Sequence, residues 1–175
     1  MFVHRKLVSN VLRCTIPIES FQQKCFRSSL VDHLVKPITV NTGKCLYPKL
    51  RLQNPKLYKH YRSGGLDLTV DYLDTKKDGK QYNKVIVAIH GCPDTYGTFT
   101  KLALHYLDSD VRVIAPNLPD FIHTRKNKIF WHSSDERAHF VRDFLYKIGV
   151  DDVDCLLSHS YGLQTTSKLW LKVSF

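Results

Sequence analysis

The stretch Val153-Asp154-Cys155-Leu156-Leu157-Ser158-His159-Ser160-Tyr161-Gly162 decides how this chain is read. Five mostly apolar residues run into small-x-Ser-x-Gly, and a segment from Leu163 to Leu171 that can be helical follows. A strand, a sharp turn and a helix have this shape. The spacing has a steric cause. A serine at the apex of a strand-to-helix turn sits in a strained backbone conformation, so its neighbours two residues to either side must be small for the strand and helix to approach. Ser158 and Gly162 meet that demand, with Ser158 standing where glycine is usual. The pattern predicts a nucleophile elbow with Ser160 at its apex.

Working upstream, Ser133-Ser134-Asp135-Glu136 is a capping box, with Ser133 as N-cap and Glu136 three residues on. Ala138, Val141, Leu145 and Ile148 then recur at helical spacing until Gly149 stops the helix. Val111 to Pro116 reads as a strand, Phe99, Leu102, Ala103 and Tyr106 as one face of a helix, and Val85 to Ile89 as a strand apolar on both faces. That last run ends in His90-Gly91-Cys92-Pro93. Strand and helix thus alternate three times, which predicts a doubly wound, mostly parallel α/β sheet. Leu66 to Tyr72 alternates strictly and predicts a half-exposed strand at the rim of that sheet, closed by a turn at Asp78-Gly79.

Composition bounds the rest. At 175 residues, with 43% hydrophobic residues and a mean hydropathy of -0.26, the chain is long enough for one domain with a core, and no apolar run approaches membrane-span length. Five widely spaced cysteines without a C-x-x-C suggest neither a disulfide framework nor a zinc site. Cys92 and Cys155 are expected to be buried small apolar groups, His159 to pack, and His132 and His139 to lie at the surface.

The formal net charge of +10 is concentrated at one end. Residues 1–66 hold 12 Lys and Arg against 2 Asp and Glu, whereas residues 67–175 hold 14 of each. The absence of a surplus around the elbow speaks against a nucleic-acid partner. Residues 1–60 therefore read as a basic N-terminal segment, and 61–175 as the domain proper. Within the former, Met1 to about Leu30 is acid-poor with Arg, Lys and Ser, as mitochondrial transit peptides are, so a mitochondrial location is expected, with the cytoplasm as the alternative. Val31 to Tyr61, punctuated by Pro37, Pro48 and Pro55, reads as linker.

An apolar strand ending in His90-Gly91-Cys92-Pro93, another ending in Pro116-Asn117-Leu118-Pro119, the Asp135-Glu136-Arg137 helix start and the Ser158-to-Gly162 elbow together resemble the α/β-hydrolase superfamily. Within it the chain looks most like the nematode-type α/β hydrolases of unknown function, over roughly Leu66 to Leu171. The resemblance implies that Ser160 is a nucleophile. It also implies that the backbone N–H groups of Tyr161 and Cys92 hold an oxyanion, with His90 and Gly91 shaping that loop. Serine at the apex implies ester, thioester or amide hydrolysis of a small acyl substrate, without a cofactor. Asp120 stands where many relatives have glycine.

The same resemblance places the acid and histidine of the triad after the nucleophile, yet no Asp, Glu or His follows Ser160. A C-terminally incomplete fold is therefore expected, with Val153 to Leu157 as an open apolar edge, and little or no activity in this chain by itself. The alternative expectation is a non-catalytic binding or regulatory fragment that covers the edge by pairing with a full-length hydrolase subunit.

Overall fold

A computed structural model describes residues 31–46, 52, 55–56, 64–119 and 133–172. The segment expected to act as a transit peptide, Asp120 and His132 all lie outside the described residues.

Five strands form one sheet: β1 Val35–Thr42, β2 Leu66–Asp74, β3 Lys84–Ile89, β4 Val111–Pro116 and β5 Cys155–Ser158, in the order β1-β2-β4-β3-β5. The sheet is mixed. β3 lies parallel to both β4 and β5, whereas β1, β2 and β4 pair antiparallel. Among the described residues three α-helices cover it: α1 Thr100–Tyr106, α2 Ser134–Lys147 and α3 Gly162–Lys172.

Alternation along the strands sorts side chains into two cores. Val87, Ile89 and Ile114 face α2 and α3, joining Phe140, Val141, Phe144 and Leu169. Ala88, Val113 and Ala115 face α1, joining Phe99 and Ala103. The larger core is aromatic, with Tyr72 meeting Phe144 edge-on at 5.1 Å between ring centroids. The capping box of α2 forms as expected: Ser133 Oγ accepts from Glu136 N–H, and the Glu136 carboxylate accepts from Ser133 N–H at 3.0 Å. Gly149 ends that helix at φ 68°.

Two expectations are corrected at the start of the sheet. Residues 35–42, read as linker, form strand β1, which pairs along its whole length with β2. Consequently β2 is an inner strand, and β1 takes the rim. The three prolines of 31–61 obscured a short alternating run, Ile38, Val40, Thr42, whose last two members are buried. Pro37 is tolerated because an edge strand has one side free of ladder bonds.

The seam between the antiparallel and parallel parts carries a buried ion pair. Arg112 on β4 donates from Nε and Nη2 to the two carboxylate oxygens of Asp74 on β2, both at 2.9 Å. Thr75 continues the seam, its Oγ1 accepting from Val113 N–H at 2.9 Å.

Candidate active site

The carboxyl ends of β3, β4 and β5 converge on one side of the sheet, where open α/β sheets place their ligands. β5 arrives there already fastened. At its approach Asp154 accepts from the Lys84 ammonium at 2.9 Å and from Val85 N–H at 2.8 Å. These contacts hold its carboxyl below the usual range, the Lys84 hydrogen bond contributing most.

Beyond Ser158 the chain reverses within a few residues. His159 N–H still donates to Ile89 O at 3.0 Å, Gly162 N–H donates to His159 O at 2.9 Å, and Leu163 N–H to Ser160 O at 3.1 Å as α3 begins. Ser160 is the only non-glycine with positive φ among the described residues, at 51°. That is the left-handed region, disfavoured for an L side chain. Crowding explains why a glycine follows it by two. A Cβ on Gly162 would stand 2.5 Å from Ile89 O and 2.7 Å from His90 O, so no side chain fits. The helix backbone therefore meets the end of β3 directly.

The loop after β3 lies against this turn from the other side. A Cβ on Gly91 would come within 3.0 Å of Ser160 Cβ and 3.3 Å of Tyr161 N. His90 is buried beneath it, with 1% exposure. Its Nε2 accepts from Leu118 N–H at 2.7 Å, which places the ring proton on Nδ1, and Nδ1–H donates to Gly91 O at 2.6 Å. Gly91 O also accepts from Asp94 N–H at 3.3 Å. Because C=O and N–H of one trans peptide point in opposite directions, fixing the Gly91 carbonyl turns the Cys92 N–H away from the His90 ring. Among the described residues, neither the Cys92 N–H nor the Tyr161 N–H donates to a protein acceptor.

Gly91, Cys92, Pro93, Asp94, His159 and Ser160 line an open cleft of ≈ 340 Å³. Ser160, Gly91 and Cys92 are thus brought together, Tyr161 flanks them, and His90 serves from below without reaching the cleft. Asp94 escaped the sequence reading, although its place directly after His-Gly-x-Pro marks it as a loop residue. Its carboxylate is engaged locally, accepting from Thr95 N–H at 2.8 Å and from the Thr98 hydroxyl.

Four side chains differ from expectation. Cys92 and Cys155 are exposed, not buried, because one sits on the cleft loop and the other on the edge strand. Partial burial against the sheet nevertheless pushes the Cys155 thiol up, with Asp154 adding to it, so it stays protonated at neutral pH. His159 is exposed in the cleft, because the turn at Ser160 directs it outward instead of into the core. His139 is buried between α2 and its neighbours, one residue past the apolar Ala138. The open edge itself is as anticipated within the described residues: Leu156 packs inward, whereas Leu157 is 38% exposed.

Solved structures share this fold. They include a probable hydrolytic enzyme from Pseudomonas aeruginosa PAO1, with TM-score 0.56 and 21% identity over 78% of this chain and 37% of that one. A thermophilic esterase from Thermogutta terrifontis gives TM-score 0.52 and 13% identity, covering 78% of this chain and 41% of the other. An epoxide hydrolase from Vigna radiata gives 0.49 and 15%, covering 79% and 36%. For the first two the likeness is one of fold, and the chain spans well under half the length of each of the three structures. No curated protein matches. Among the described residues no helix is long and apolar enough to cross a membrane. Residues 53–173, more than half of the chain, match the family described as alpha/beta hydrolase of unknown function (DUF1057), and the chain belongs to that family.

Proposed function

We propose that the cleft is an acyl-transfer site of the serine-hydrolase type, acting on esters, thioesters or amides of small molecules. The observation that carries this reading is the meeting of three groups in one place: a serine strained to φ 51° and two backbone N–H groups, of Cys92 and Tyr161, with no protein acceptor among the described residues. In the reaction Ser160 Oγ bonds to the carbonyl carbon, the hydroxyl proton leaves to a base, and the carbonyl oxygen takes up negative charge between the two amides. Collapse of that intermediate breaks the bond to the leaving alcohol, thiol or amine, and water then releases the acyl group. One oxyanion donor is typically worth about 3 kcal/mol in the transition state.

No imidazole or carboxylate among the described residues accepts from Ser160 Oγ, and His90 has both ring nitrogens engaged. The reading therefore includes a very slow reaction by this chain, since loss of a triad base typically costs on the order of 10⁶ in kcat. Chemical rescue tests both parts. Hydrolysis of a p-nitrophenyl ester by residues 1–175 is expected near the level of Ser160→Ala without additive and, once the protein-free imidazole rate is subtracted, to rise with added imidazole only when Ser160 is present. An imidazole-dependent rate equal in Ser160→Ala would remove the nucleophile, and fast unaided turnover would remove the slow-reaction claim.

A second reading, a non-catalytic subunit that pairs with another hydrolase chain, is favoured by exposed Leu157, Leu163, Trp170 and Leu171 along β5 and α3. It predicts co-purification with a full-length α/β hydrolase, and a strict monomer in light scattering that captures no such chain would count against it. The basic segment 1–30 is proposed to direct mitochondrial import, which a fluorescent fusion of that segment spread through the cytoplasm would refute.

A further inference from the structure

Arg137 is 3% exposed, yet among the described residues its Nε and Nη1 have no hydrogen-bond partner. A guanidinium taken out of water without a carboxylate is destabilising unless something replaces its hydration. The adjacent acid is committed elsewhere: Glu136 caps α2 by accepting from Ser133 N–H and Oγ at 3.0 and 2.9 Å. What Arg137 does face is an aromatic ring. Its guanidinium carbon lies 4.6 Å from the centroid of Tyr161, the residue immediately after Ser160. A ring face carries negative charge density and attracts a cation, more strongly where water is excluded.

The contact joins two elements that the backbone does not connect closely, the first turn of α2 and the apex of the turn into α3. Tyr161 itself is 40% exposed and precedes the glycine that is wedged against Ile89 O and His90 O, so its ring has no deep pocket of its own to fix it. We propose that Arg137 is a positioning residue. Its stack on Tyr161 clamps the elbow to α2 and holds the Tyr161 N–H in the direction an oxyanion requires. This inference rests on the reading of Ser160 as nucleophile, and it assigns a role to a charged residue that the chemistry itself does not use.

The test separates the stack from the reaction. Amide hydrogen exchange at residues 160–163 is measured in Arg137→Met, which keeps bulk without charge, Arg137→Lys, which keeps charge without the planar fork, and Tyr161→Leu. The expected result is about tenfold faster exchange in Arg137→Met and in Tyr161→Leu, an intermediate value in Arg137→Lys, and no further gain in the Arg137→Met/Tyr161→Leu double variant. Imidazole-assisted ester hydrolysis by Arg137→Met is expected to lose about tenfold in kcat with KM unchanged. Unaltered elbow exchange in folded Arg137→Met and Arg137→Lys overturns the clamp. Faster exchange with unaltered kcat overturns the positioning role. If Ser160→Ala shows the same imidazole-dependent rate as the parent, the nucleophile reading has failed, and the exchange data alone decide whether the clamp exists.

Discussion

At one rim of the sheet, β1 presents Lys36, Pro37 and a polar ladder to β2, in which the Thr39 and Thr69 hydroxyls meet at 2.8 Å and Asn41 donates to Asp67 at 2.9 Å. At the other rim, β5 is only Cys155–Ser158, held by parallel pairing to β3 and by Asp154, with Leu157 turned partly to solvent. The first rim is finished in the way soluble sheets guard their edges, with a proline, a lysine and hydrogen-bonding side chains. The second is shaped by the turn that follows it. The difference teaches that tolerance to change is unevenly distributed: the β1 rim is held by many small interchangeable contacts, and the β5 end by a few contacts that admit no substitute.

The largest expected effect tests the intolerant end. Gly162→Val places atoms inside van der Waals range of the Ile89 and His90 carbonyls, and a loss above about 4 kcal/mol in urea unfolding is expected, such values being diagnostic of forced strain. A mild loss would mean that the elbow is as adaptable as the far rim. Next comes the seam that joins the two halves. Asp74→Ala leaves Arg112 buried without its partner, at a cost of about 3–5 kcal/mol by the same measurement.

A smaller effect is expected at Asp154, whose ion pair with Lys84 is solvent-exposed. Since its folded carboxyl lies below the usual value, its contribution is present above about pH 4, the ordinary carboxylate value, and is lost as pH falls through the depressed folded value. Asp154→Asn should therefore lower Tm from about pH 4 upward, through neutral and alkaline pH, and meet the parent at acid pH, which flattens the acid side of the Tm–pH profile. A parallel downward shift at every pH would show that packing, not charge, secures β5. The smallest effect belongs to the polar rim: Thr39→Val should cost about 0.5 kcal/mol or less, and a loss comparable to that of Asp74→Ala would erase the contrast between the rims.

Most of the parallel half was legible because its signals are local. Val85–Ile89, the capping box at Ser133 and the small residue at Gly162 each announce themselves within a few positions, and each stands where it was read. The antiparallel rim was not legible, since Val35–Thr42 has only three alternating inward residues, and Pro37 interrupts the run. Side-chain exposure at the site was harder still. Cys92, His159 and Asp94 are placed by a tertiary meeting of two loops, which periodicity does not encode. Arg137 had a faint signal: it precedes Val141 and Leu145 at four-residue spacing, on the stripe that faces the sheet.

The carbonyl of Gly91 is a single atom with two suitors, the His90 Nδ1–H and the Asp94 N–H. For the peptide between Gly91 and Cys92 to flip, both bonds would have to break at once, one of them to a ring that is itself anchored on Leu118. The dipole that faces the cleft is therefore oriented before any ligand arrives. If the cleft takes a carbonyl as proposed, charge appearing on it would find the local field already aligned, with little reorganisation left to perform, and that readiness would be set by a histidine outside the cleft lining.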